Sequence, residues 1–102
     1  MEVKEILDER KATHGDFTEN ARIAQELKRV AESAINWDTM NDVQREGVHA
    51  ILCKLSRVLS GGVTHKDTWQ DIQGYAKLVE ERLPKERLPK EDIDLLKSVV
   101  LC

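Results

Sequence analysis

Apolar residues recur three and four positions apart along most of the chain, and that spacing predicts helices. Val3, Ile6 and Leu7 predict a short first helix over 3–10, which KATHG interrupts. Asp16 stands three residues before Glu19, a capping-box-like start for a second helix from about 17 to 34. Its apolar stripe is Ile23, Ala24, Leu27, Val30, Ala31 and Ala34, and Asn20 joins the inward face one turn earlier. INWDTM then connects to a third helix over 42–60, N-capped by Asn41 and stopped by Gly61 and Gly62 as a left-handed C-cap.

On that third helix Val48, Ile51, Leu52, Leu55, Val58 and Leu59 form one broad core stripe. Gly47, Ala50, Lys54 and Arg57 lie along one flank of it, and Cys53 points nearly opposite, which predicts cover on more than one side. Thr64 and Asp67 predict a second capping box, for a fourth helix over 65–83. Its core face is Trp69, Ile72, Ala76, Val79 and Leu83, so Trp69→Ala is expected to cost about 3–5 kcal/mol. Pro84 ends it, and 84–90, within the short duplication ERLPK-ERLPK, reads as a linker. Ile93, Leu95, Leu96, Val99 and Val100 predict a last short helix over 91–100. No segment alternates as a strand does. The fold class is therefore all-α: a compact bundle of four main helices plus a short C-terminal helix, with the bundle domain over 1–83 and the Pro-containing linker and short helix over 84–102.

Composition narrows the function classes. The 102 residues are 40% hydrophobic and 34% charged, which suits one folded helical domain and not a disordered chain. A net charge of -3 gives no help to nucleic-acid binding, which needs clustered Lys and Arg. No apolar run approaches the roughly 20 residues that span a bilayer, and MEVKEILDER lacks the h-region of a signal peptide. Cys53 and Cys102 are too few for a disulfide framework, so a reducing compartment, the cytoplasm, is expected. Short helices in a chain this small leave apolar surface uncovered, which predicts a homodimer or higher homo-oligomer.

Two polar groupings could carry chemistry. If helices three and four pack as neighbours, Lys54 and Arg57 face Asp67, Asp71 and Tyr75, with His65 at the mouth of the cluster. One reading is an ion-pair network between two helices. The other is a ligand site, in which Asp67 and Asp71 hold a hard cation such as Mg and the two cations hold a phosphorylated ligand. His14, followed by Gly15 and a helix N-terminus, would suit an anion, or it is an exposed loop histidine. Asn20 reads as a ligand contact or a satisfied core amide, and His49 as surface. No Walker loop, GxGxxG, HExxH or GxSxG motif occurs.

These same positions carry a resemblance. His14, Gly15 and Asn20, then Lys54, Arg57 and Gly61, then His65, Asp67, Trp69, Asp71, Gly74 and Tyr75 follow a pattern that resembles a family of short phage and prophage proteins. More distantly the chain looks like the all-α nucleoside triphosphate pyrophosphohydrolases of the MazG kind, which hold magnesium with carboxylate pairs on two helices. The E-x-x-E half of that arrangement is missing from the central helices here. The resemblance implies that the polar flank is a site and that the host cell is bacterial. Three functions follow: binding of a nucleotide-like phosphorylated ligand; a non-enzymatic factor that binds a host protein, such as a phage inhibitor of host defence; or a metal-dependent nucleotide pyrophosphohydrolase.

Overall fold

A computed structural model describes residues 2–84, apart from the side chains of Thr13 and His14. The predicted linker beyond Pro84, the short helix over 91–100 and Cys102 lie outside the described residues. The chain runs α1 (Val3–His14), α2 (Phe17–Ser33), a 3-10 turn (Trp37–Thr39), α3 (Asp42–Ser60) and α4 (Lys66–Glu80). It is an all-α helical bundle, with no strand among the described residues.

The caps explain where the helices start. Asp16 accepts the Glu19 amide at 3.2 Å and so opens α2. Asn41 and Gln44 exchange reciprocal bonds at 2.9 Å, a complete capping box that opens α3. Two predicted signals fail. Helix α4 is capped by His65 and not by Thr64, with no side-chain cap bond. Asp67 instead sits in its first turn, where its charge favours the positive end of the helix dipole. Gly61 is not left-handed, with φ -160, and the α3–α4 turn is held by Val63 and His65 amides bonded to the Gly61 and Gly62 carbonyls.

The sequence stops the first helix at 10, but it continues to His14 because nothing in KAT breaks a helix and Gly15 provides the stop. Gly15 has φ 78, the one positive φ among the described residues, and its amide bonds Lys11 O at 2.9 Å. It lies so close to the Ser60 carbonyl that a Cβ there would overlap that backbone. The His14–Gly15 step is therefore a packing junction between α1, α2 and the end of α3.

Helix α3 is central, with α2 against one side and α4 against the other. Two contact sets fix these sides. His49 Nε2 pairs with Glu32 Oε1 at 3.0 Å, and Asn20 Nδ2 donates to Ser60 Oγ at 3.3 Å, so His49, Ser56 and Ser60 face α2. Gly47 meets the Val79 side chain, and Lys54 meets Asp71, so their side faces α4. Small residues fill both seams: Ala24, Gly47, Ser56 and Thr68 are buried, and Ala24 is the one buried apolar side chain among the described residues.

The predicted core stripes accordingly need correcting. Leu59 is 64% exposed, Val30 70% and Trp69 44%. Helix α4 turns Thr68, Ile72 and Val79 towards α3, while Trp69, Ala76 and Leu83 lie beside that seam. Trp69 packs on the preceding turn, its indole N–H donating to Val63 O at 3.2 Å. The core-sized penalty expected for Trp69→Ala does not apply to a side chain placed this way. His49, read as surface, is half-buried, its ring 5.0 Å from that of Trp37, which also carries the Arg45 guanidinium over its face.

Candidate functional site

Lys54 projects from the α4 side of α3 because it lies seven residues, two turns, after Gly47. Its Nζ reaches Asp71 Oδ2 at 2.9 Å. The lysine stem is largely buried and the carboxylate half-exposed, so the pair sits at the edge of the seam. The hydrogen bond and charge of Lys54 hold the Asp71 carboxyl below its ordinary value, and burial opposes them weakly. Arg57 and His65 add smaller pulls in the same direction, so all four groups share one field.

A carboxyl lowered by folding contributes stability above its unfolded value and loses it as pH falls through the folded value. That window lies below 3.8, the ordinary value for Asp71. An NMR titration of the Asp71 carboxyl carbon should therefore give a midpoint below 3.8. Lys54→Met should return that midpoint towards the ordinary value. An unmoved midpoint would show that the pair is not formed in solution.

Arg57 stands one turn along α3 from Lys54, half-buried, and no hydrogen bond or ion pair engages its guanidinium among the described residues. It lines a cavity of about 470 Å3 at the meeting of α1, α2 and α3. Arg10 and Lys11 of α1 line the same cavity, with Asp8, Asp16 and Asn20. Leu7 and the 83%-exposed Phe17 supply apolar wall. Of the acids, Asp16 is already bonded to the Glu19 amide.

The predicted site residues thus divide. Lys54, Arg57, His65 and Asp71 come together, and Asn20 joins Arg57 in the cavity. Asn20 also heads a relay in which its amide donates to Ser60 Oγ, and Ser60 Oγ donates to Ser56 O at 2.8 Å. It is a satisfied amide as well as a wall. Tyr75, a turn beyond Asp71, shares one shallow groove with Asp71 and Leu78 and lines a second with Leu78 and Gly47. His65 Nδ1 lies 3.1 Å from Thr68 Oγ1, which fixes the ring at the start of α4. Asp67 is exposed, and the backbone of His14 closes α1. Among the described residues no three His, Cys, Asp or Glu side chains converge on a point where a metal would sit. Arg10, Lys11 and Phe17 carry no spacing signal that joins them to Arg57, because α1 and α2 meet the end of α3 only through the turn at Gly15.

Over residues 2–83 this protein matches the family described as "Domain of unknown function (DUF6378)", and the chain belongs to that family. No curated protein and no solved structure matches it. No helix among the described residues is long and apolar enough to cross a membrane.

Proposed function

We propose that this protein binds a phosphorylated, nucleotide-like ligand through its basic flank, with Arg57 as the principal phosphate contact. The observation that carries the reading is the placement of Arg57. Arg57 is half-buried, with no hydrogen bond or ion pair to its guanidinium among the described residues, beside the Lys54–Asp71 pair and in a cavity also lined by Arg10 and Lys11. A planar, always-charged fork in such a position is suited to bidentate recognition of a phosphate. Lys54 adds a second charge, and Asn20 a polar edge for sugar hydroxyls. Phe17, exposed at the rim, offers a face on which a base can stack.

The resemblance to phage and prophage proteins supports the cytoplasm of an infected bacterium as the setting. The likeness to MazG-type pyrophosphohydrolases supports a nucleoside polyphosphate as the ligand. In this reading the phosphates are held by cations on the protein, and no step requires a bridging ion.

The test is a thermal-shift series with adenosine, AMP, ADP and ATP, each with and without magnesium. Stabilisation should rise with phosphate number and be absent for adenosine, reaching about 2.7 kcal/mol at 100 times the dissociation constant. Equal responses to adenosine and ATP, or none to either, would overturn the reading.

A further inference from the structure

The residues predicted as core stripes gather on one side of the α2–α3–α4 arrangement, the side away from Arg57. Met40, Val48, Ile51, Ala76 and Leu83 line one open groove between α3 and α4 on this side. Steps of about 100° per residue continue the surface across α3 through Leu55 and Leu59 and onto α2 through Leu27 and Val30. Charged positions fall at its borders, such as Glu80 and Glu26. Its large side chains stay open to water, as at Val30, Leu59, Trp69 and Leu83.

We infer that a second copy of this chain docks on this face, closing two such arrangements into one bundle with a shared core. Size selects that occupant. Helices of 15 to 19 residues are about 23–29 Å long, and three of them side by side at about 8–10 Å give a face of about 550–870 Å2. That range includes the roughly 800 Å2 per partner of a standard stable interface. The same face on a second copy matches it in width, length and apolar character, as a two-fold interface requires. The helix that the sequence predicts over 91–100 would be about 15 Å long, the length of one groove and not of the whole face. Elements in a single layer must also bury their apolar side against a second one. With Ala24 as the one buried apolar side chain among the described residues, that second layer is still owed.

The experiment is sedimentation equilibrium of the full chain across the micromolar range, independent of any ligand. A dimer mass is expected at low micromolar concentration. Val30→Glu and Leu59→Glu, at positions already open to water in the single chain, should keep the helical circular dichroism and weaken the dimer by about tenfold or more. Leu78→Glu, 48% exposed on the opposite side, should leave it unchanged. Trp69 supplies a readout that needs no variant, since its emission should shift red on dilution through the dissociation range. A monomer at all these concentrations, whether covered by its own C-terminal segment or awaiting another protein, overturns the inference. So does a dimer indifferent to both glutamates, or emission that does not change while the mass falls.

Discussion

Gly15→Ala should destabilise the protein by about 3 kcal/mol or more, the largest effect expected of any single-methyl substitution in this chain. Two independent causes add. With φ 78 and ψ -170, Gly15 occupies a backbone region essentially open to glycine alone, which costs an L-residue about 1–3 kcal/mol. The added Cβ would also overlap the Ser60 carbonyl, and only movement of backbone relieves a clash with backbone. At about 4–8 °C per kcal/mol for a domain of this size, the melting temperature should fall by about 12 °C or more. Gly74→Ala is the control. A Cβ there meets nothing within 4 Å, so the gain in helix propensity should raise stability by about 0.5–1 kcal/mol. Equal effects in the two variants would remove the junction between Gly15 and Ser60 from the account. The same junction explains why glycine stands at position 15.

Ser56→Leu should cost about 3 kcal/mol, at the upper end for overpacking. Ser56 is fully buried on the α2 side of α3, one turn before the Ser60 that Asn20 of α2 meets, so a branched side chain there would have to displace α2. Its hydroxyl bonds Cys53 O at 2.6 Å within the same helix. That bond is local, so Ser56→Ala should be worth less than about 1 kcal/mol. Chemical denaturation of the two variants checks the contrast. If leucine is tolerated as well as alanine, the α2–α3 seam is wider than described.

Much of the fold was legible because its signals are local. The Asn41 cap, the Asp16 cap and the ends of α2 and α3 depend on residues within one turn of each other. What stayed hidden depends on neighbours distant in sequence. Amphipathic spacing tells which side of a helix is apolar, but not what covers it. Thus Val48, Leu55, Leu59 and Trp69 were read as core, whereas the seams between helices are lined by Gly47, Ser56, Thr68 and Ala24. Small and hydroxyl side chains carry little weight in a hydrophobic pattern, yet they are what lets helices approach closely.

The candidate site was legible to the same degree. The Lys54–Asp71 pair follows from helices three and four being adjacent in sequence across a short turn. The cavity beside Arg57 does not, since it is built by α1 folding back at Gly15. His49 was lost for a similar reason: Glu32 and Trp37 are distant partners that no spacing rule connects to it.

Calorimetric titration with pyrophosphate measures whether the flank around Arg57 holds phosphate. The wild-type chain should bind saturably, and Arg57→Gln should weaken binding by about tenfold or more while melting within about 0.5 kcal/mol of wild type. Asp71→Asn frees Lys54 and should bind as well as wild type or better. No heat of binding in the wild-type chain, or an Arg57→Gln variant that binds unchanged, would contradict the account.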